Sequence, residues 1–410
     1  MTLGAPVELT LAGPAAGGTC VAHHDGATWF VRGGLPGEVV RARETAAKNR
    51  GRIRFAEVVE VVEASPDRVE PPCPAAGTCG GCDLQHVAYE AQLRWKSQVL
   101  ADQLERLGRV RAIGQVPVAD AVAVREVPLP GRPAGLGWRT RVSVTADAEG
   151  RACFHGRRSD DLVAVAGCAV AVPELQAGFA AAWAPRQRLE WSSAQSGVVV
   201  APTDAVRVGA LPGDWVGGRT ALRTALGRTW QVAADGFWQS HAAAPDVLAA
   251  AVREAAGPQP GEAVVDLYCG VGLFAGALAA DVGERGSGIA VEGDHRAAAL
   301  ARRNLADLPQ VRVIEADVKR WVSRGGAAQL ATADAVVLDP PRTGAGADVI
   351  ARVAASERAR VIVYVACDGA SLARDAALLR TAGWELAALQ AFDLFGMSHH
   401  VEAVARFVRA

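Results

Sequence analysis

The stretch from Val264 to Ala279, VVDLYCGVGLFAGALA, constrains the chain more than any other. Ala263-Val264-Val265 has the character of a short strand. The chain then turns through Asp266-Leu267-Tyr268-Cys269-Gly270-Val271-Gly272 and enters an Ala-rich apolar segment with the character of a helix. A strand that opens through glycines into a helix lets backbone N–H groups approach a ligand at the helix N-terminus. A second strand-like run, Ser287 to Val291, ends on Glu292, and an acid at that point typically grips ribose hydroxyls. A lone GxG says little, because many tight turns use it. The set of Asp266, the CGVG turn, Glu292, Asp317 and Asp339-Pro340-Pro341 says much more.

From about residue 231 the pattern alternates strand and helix. Strands are expected at 263–266, 287–292, 311–314, 334–339 and 360–366, with a final pair near 384–392 and 401–408. Ala/Leu-rich segments lie between them. The fold class is therefore α/β, a doubly wound, mostly parallel sheet with helices on both faces. Function should gather at the carboxyl ends of the strands, where Tyr268, Glu292, Asp317, Asp339 and Cys367 fall. This arrangement resembles the S-adenosylmethionine site of Rossmann-like methyltransferases.

The length, 410 residues, suggests two or three domains. No apolar run is long enough to span a membrane, and the start has no basic flank before an apolar core, so a cytoplasmic location is expected. The net charge of −1 excludes a global basic footprint, so any nucleic-acid contact must come from local patches. In such a compartment the eight cysteines are not expected to form disulfides; clustered ones point to metal, isolated ones to core or catalysis.

Residues 1–62 have short alternating runs, Val7 to Leu11, Thr28 to Val31, Glu38 to Arg43 and Phe55 to Glu63, split by Gly/Pro turns, which argues for a small barrel. Arg41, Arg43, Lys48, Arg50, Arg52 and Arg54 make one stretch of it basic. This module resembles the TRAM domain, an OB-like RNA-binding barrel. Residues 63–230 form a central, β-rich region. Near its start Cys73, Cys79 and Cys82 stand in C-x5-C-x2-C spacing around Gly80-Gly81. One C-x2-C pair with a third thiol upstream departs from the two pairs usual in structural zinc sites; iron–sulfur clusters accept such spacings and a remote fourth cysteine, here Cys153 or Cys168. A helix is expected over 86–110, with an apolar stripe of Leu93, Val99/Leu100, Leu104 and Leu107. Trp138 to Val144 alternates as a strand, and Arg151 to Arg158 adds arginines beside an aromatic; segment 173–230 carries little motif content.

The cysteine run, taken with the C-terminal motifs, resembles the RNA uridine C5-methyltransferases, in particular the 23S rRNA branch that carries an iron–sulfur cluster and a TRAM domain. Val361-Ile362-Val363-Tyr364-Val365-Ala366-Cys367 is an apolar strand ending in a thiol, and Y-V-A-C-D-G-A-S-L-A-R-D is similar to the family's segment around its nucleophile, with Ala366, Asp368 and Gly369 as departures. Ser398-His399-His400-Val401-Glu402 is similar to its closing T-x-H-x-E signature. Phe237-Trp238-Gln239 is similar to its FxQ segment, with His241 in place of an Asn. The resemblance implies Cys367 as nucleophile and Glu402 as general base. It also implies Gln239, Tyr268, Gly270, Gly272, Glu292, Asp317 and Asp339 as cofactor-binding residues. Cys73, Cys79, Cys82 and Cys168 become ligands of a [4Fe–4S] cluster, Cys168 following a segment like the family's own although Ala169 replaces its Pro. The implied domains are 1–62, 63–230 and 231–410, and the implied state is a monomer acting on RNA with S-adenosylmethionine.

The chemistry explains the residue types. Uracil C5 is a poor nucleophile until a thiolate adds to C6; a base must then remove the C5 hydrogen so that the thiolate can leave. The target uracil must leave its stack to reach such a site. The alternatives are a tRNA uridine-54 enzyme, whose bacterial members lack the cluster and barrel, an amino-group nucleic-acid methyltransferase, which calls for an aromatic at Arg342 and no role for Cys367, and a non-enzymatic iron–sulfur RNA-binding protein.

Overall fold

Eight strands form the central sheet of the computed structural model, which describes residues 5–195, 197–202, 211–213 and 215–410. Their order is Val311–Glu315, Ser287–Glu292, Ala263–Leu267, Ala335–Leu338, Val361–Ala366, Glu402–Arg409, Trp384–Asp393 and Val124–Glu126. The first five run parallel, and Glu402–Arg409 lies antiparallel to both of its neighbours. The inner strands are apolar because both of their faces are covered. Ile362 and Tyr364 pack into one core with Val336 and Leu338, while Val361 and Val363 pack into the other with Ala335 and Val337. Each fully buried valine or isoleucine adds about 1.5–3 kcal/mol by leaving water. Helix Leu273–Val282, apolar all round, is buried on nearly every face, as such a helix must be.

The eighth strand, Val124–Glu126, pairs parallel with Trp384–Asp393. It comes from the region that sequence division assigns to the central domain. Periodicity cannot mark a strand of three residues, and the pairing is set by tertiary contact.

Helix Tyr89–Arg106 joins two cores. Ala91 and Trp95 close the core of the N-terminal sheet, while Leu100, Ala101 and Leu104 enter the core of the catalytic sheet. Leu107, expected on the apolar stripe, is exposed instead, because the helix has ended at Arg106 and Leu107 is its cap. The buried face takes in Gln92 and Lys96.

The N-terminal sheet has six strands in the order Val7–Thr10, Val39–Lys48, Ile53–Glu63, Ala27–Arg32, Thr19–His24 and Gly13–Ala15, wrapped on a core that includes Leu9, Leu11, Trp29 and Val40. In Ala27–Arg32 every second residue is buried, the period of a half-covered strand. The central region holds a second six-stranded sheet, running from Leu162–Ala164 through Ala152–His155, Arg141–Ala146, Arg188–Ala194 and Gly197–Pro202 to Val216–Gly217. Its core is aromatic: Phe179, Trp183, Trp191 and Trp215 pack together. The hairpin Thr220–Ala225 and Arg228–Ala233 sends Trp230 into the catalytic core. Among the described residues no helix is long and apolar enough to cross a membrane.

Candidate active site

The glycine turn follows directly from strand Ala263–Leu267. Tyr268, Gly270 and Gly272 all take positive φ, +65°, +55° and +98°, and a Cβ on Gly272 would lie 2.8 Å from Leu305 Cδ1. At Gly272 only glycine fits, on both backbone and packing grounds. Glu292, at the end of the neighbouring strand, accepts the Gly270 N–H at 2.8 Å and the Asp294 N–H at 2.7 Å. Asp266 is buried; its Oδ2 accepts the Ala275 N–H at 2.9 Å, and its Oδ1 has no partner. Burial, together with Asp339 and Glu292 nearby, holds the Asp266 carboxyl far above the usual carboxylate range. Asp339 is pushed up to about 7 by burial and by Glu292. Three neighbouring strands thus end in three mutually repelling carboxyl groups around the glycine turn.

Two further strands complete the site. Ala366 is the register partner of Ala403, so Cys367 and Glu402 project from adjacent ends of neighbouring strands. Burial pushes the Cys367 thiol up to about 11, with Glu402 and Asp339 adding to the rise and Arg342 opposing it. Glu402 is buried, and burial followed by Asp339 raises its carboxyl well above the ordinary range, again against Arg342. Arg342, exposed after the Asp339-Pro340-Pro341 exit, is a cation near enough to favour the ionised form of both.

The remaining expected residues are placed as follows. Asp317 caps helix Val318–Ser323, its Oδ1 accepting the Arg320 N–H at 2.8 Å; burial, with Asp317 and Asp375 nearby, raises the Tyr268 phenol to about 12. Gln239 is buried, beside Trp238, which packs in one core with Cys269, Val271 and Phe274. Phe237 stands 68% exposed. His241 stacks on Trp138, and burial lowers its imidazole to about 4.

Cys73, Cys79, Cys82 and Cys168 line one cavity with Arg139. Cys153 is not on it: its thiol donates to the Arg151 carbonyl at 3.4 Å. The cysteine loop is pinned to the central sheet, the Gly80 N–H donating to His155 O at 3.0 Å, and a Cβ at Gly80 would come within 3.2 Å of that carbonyl and of the Arg157 backbone. All four cysteines are unpaired, and burial raises the thiols of Cys79, Cys82 and Cys168. Among the described residues no three His, Cys, Asp or Glu side chains are grouped to hold a metal ion.

Several supporting residues carry no motif. Asn304 donates to the carbonyls of Val271 and Gln231 and accepts from the Gln231 N–H, tying the glycine turn to the hairpin. Asp375 accepts from the Tyr364 hydroxyl at 2.6 Å and from the Ala345 N–H at 2.8 Å, fixing the loop after Arg342. Lys96 and Asp393 form a wholly buried ion pair at 2.5 Å. No sequence motif marks Lys96, whose partner lies almost three hundred residues away.

The doubly wound sheet and its carboxylate-ringed glycine turn define a Rossmann-like methyltransferase. No family profile matches the chain. It is 39% identical over 440 residues to an uncharacterized RNA methyltransferase of Streptomyces avermitilis, covering 98% of each chain. It is 34% identical over 442 residues to the 23S rRNA (uracil(1939)-C(5))-methyltransferase RlmD of Pseudomonas putida, covering 96% of this chain and 91% of that one. In fold it is similar to the Pyrococcus abyssi tRNA (uracil-54, C5)-methyltransferase in complex with S-adenosyl-L-homocysteine, with a TM-score of 0.69 at 20% identity, covering 98% of this chain and all of the other. The chain belongs to the RNA methyltransferase family that includes the 23S rRNA uracil-C5 enzymes.

Proposed function

We propose that this protein methylates C5 of a uridine in RNA, 23S rRNA in the first place, with Cys367 as nucleophile and Glu402 as base. The observation that carries this reading is the pairing of Ala366 with Ala403, which sets a thiol and a buried carboxyl side by side, next to Asp339. The unpartnered Asp266 Oδ1 and the open glycine turn fit S-adenosylmethionine, held by Gln239, Tyr268, Gly270, Gly272, Glu292, Asp317 and Asp339. That group, when bound, supplies an electrophilic methyl.

The Cys367 thiolate adds to C6 of the uracil, and the ring's electrons pass to an enolate that makes C5 nucleophilic. C5 takes the methyl. Glu402 then removes the C5 proton; the electron pair re-forms the C5–C6 double bond and expels the Cys367 sulfur. A carboxyl whose pKa is raised by burial is a stronger base once ionised, which suits Glu402 to this step. Arg342 stabilises both anionic forms, a role that the amino-group rival does not offer it.

The domains at 1–62 and 63–230 then serve to hold RNA. Arg43, Lys48, Arg50 and Arg52 are exposed on the first sheet, with Lys48 over the Phe55 ring, a combination suited to phosphates and bases. A four-thiolate cluster would be held by Cys73, Cys79, Cys82 and Cys168, which line one cavity. Protein purified without air should be brown, with absorbance near ~400 nm that disappears in the Cys82→Ser variant; a colourless protein overturns the cluster.

Unmodified 23S rRNA and tRNA transcripts, incubated with the protein and methyl-labelled cofactor, test the reaction. The label should appear as 5-methyluridine in the ribosomal RNA, and Cys367→Ser should abolish it. Labelling of tRNA alone moves the substrate to the tRNA branch; an amino-methylated base, or activity in Cys367→Ser, overturns the reading.

A further inference from the structure

One carboxylate outside the catalytic pair ties three distant parts of the chain to the cysteine loop. Asp83, the residue after Cys82, is nearly enclosed. Its Oδ1 takes Arg32 from the N-terminal sheet at 2.9 Å and Arg157 from the central region at 2.8 Å. Its Oδ2 lies 2.5 Å from Nδ1 of His399, in the segment that leads into Glu402. The backbone repeats the tie, since the N–H groups of Asp83 and Leu84 both donate to Met397 O at 3.0 Å. Met397 itself is held at φ +67°, its N–H donating to Gln92 Oε1 at 3.1 Å.

These contacts shape the surroundings of Cys367. The His399 ring packs on His400 at 4.2 Å between centroids, and both histidines line a cavity with Cys367, Lys96 and, from the N-terminal module, Ala16 and Gly17. Arg32 also donates to Gly17 O at 2.8 Å. The neighbouring Gly18, at φ +68°, sits so close that a Cβ there would meet Asp83 Cβ at 2.8 Å and His399 Cβ at 3.6 Å. The Gly17-Gly18 turn of the N-terminal sheet, the cysteine loop and the pre-Glu402 segment are therefore one packed wall.

We propose that Asp83 and His399 are positioning residues for methyl transfer: through them the cysteine loop and the N-terminal barrel fix the wall of the pocket that holds Cys367. This rests on Cys367 being the nucleophile. The cysteine loop would then set the geometry of the reacting thiol as well as any RNA contact, and the barrel would be part of the reaction pocket.

The test uses the full-length holoprotein and in-vitro-transcribed 23S rRNA. Asp83→Ala and His399→Ala should each lower kcat about tenfold or more, the scale on which a misplaced reacting group is felt. The KM for RNA should move much less, and S-adenosylhomocysteine affinity by calorimetry should be unchanged. His399→Gln keeps an N–H for Asp83 and should recover most of the lost kcat. If Asp83→Ala fails to fold, the His399 pair decides, because His399 is partly exposed and its removal leaves the sheets intact. Parental kcat in folded His399→Ala, or a loss expressed only in RNA KM, overturns the proposal. Cys367→Ser run in parallel separates the two readings: if it is inactive while His399→Ala is unaffected, only the positioning role falls; if it is active, the nucleophile assignment falls.

Discussion

The Cys367 thiol lies in surroundings that disfavour its ionised form, and this has a measurable consequence. Burial and the carboxyls of Glu402 and Asp339 place its pKa at about 11. Below that value the free protein holds a thiol, so at about pH 8 the thiolate is roughly one part in a thousand, a penalty of about 4 kcal/mol that must be offset when RNA and cofactor bind. Alkylation of Cys367 by iodoacetamide, followed by peptide mass spectrometry so that the other cysteines do not interfere, should accelerate about a hundredfold between about pH 7 and pH 9 without levelling. The neighbours fix the signs of the variants. Glu402→Gln and Asp339→Asn remove groups that raise the pKa and should move the curve to lower pH. Arg342→Ala removes the group that lowers it and should move the curve up. A rate that levels near neutrality, or an Arg342→Ala shift in the opposite sense, would refute this picture of the site.

Other consequences are independent of the thiol. Lys96→Met should cost about 3–5 kcal/mol in chemical denaturation, because it strands Asp393 in the core, and Lys96→Met with Asp393→Leu should cost less than the single change; a single-variant loss below about 1 kcal/mol contradicts the buried pair. Gly272→Ala adds left-handed strain of about 1–2 kcal/mol and a clash with Leu305, so calorimetry should show cofactor affinity down about tenfold or more; unchanged affinity contradicts the placement of the turn. The Asp339 carboxyl rises from 3.8 to about 7 on folding, so its contribution is complete below about pH 4 and is lost as pH rises through 7. Asp339→Asn should therefore raise the melting temperature at about pH 8 and leave it nearly unchanged at about pH 4; equal shifts at both would show that Asp339 ionises freely in the fold.

The catalytic sheet was readable from sequence because its strands are continuous apolar runs ending in acids or a thiol, and Val264 to Glu292 carries its own punctuation in glycines. Asp266, Glu292, Asp339 and Cys367 stand out in sequence because each lies at or near the end of such a run, whereas Glu402 begins its strand and stands out only through the closing motif. What escaped was held by long-range contact: strand Val124–Glu126 is too short for a period, Lys96 looks like a solvent-facing residue until Asp393 arrives from the far end of the chain, and Asp83 gains meaning only once Arg32, Arg157 and His399 surround it. Leu107 was misplaced because a helical stripe continues on paper past the point where the helix stops. Between Cys153 and Cys168 spacing alone could not choose; only Cys168 reaches the cavity with the other three thiols.

The most direct trial of the central claim is to stall the reaction at its last step. Glu402→Gln protein, incubated with 23S rRNA and S-adenosylmethionine and then denatured, should retain RNA covalently, and nuclease and protease digestion should leave a methylated uridine on the peptide bearing Cys367. Release of free methylated RNA at the parental rate, or a modified nucleotide on any other residue, would contradict it.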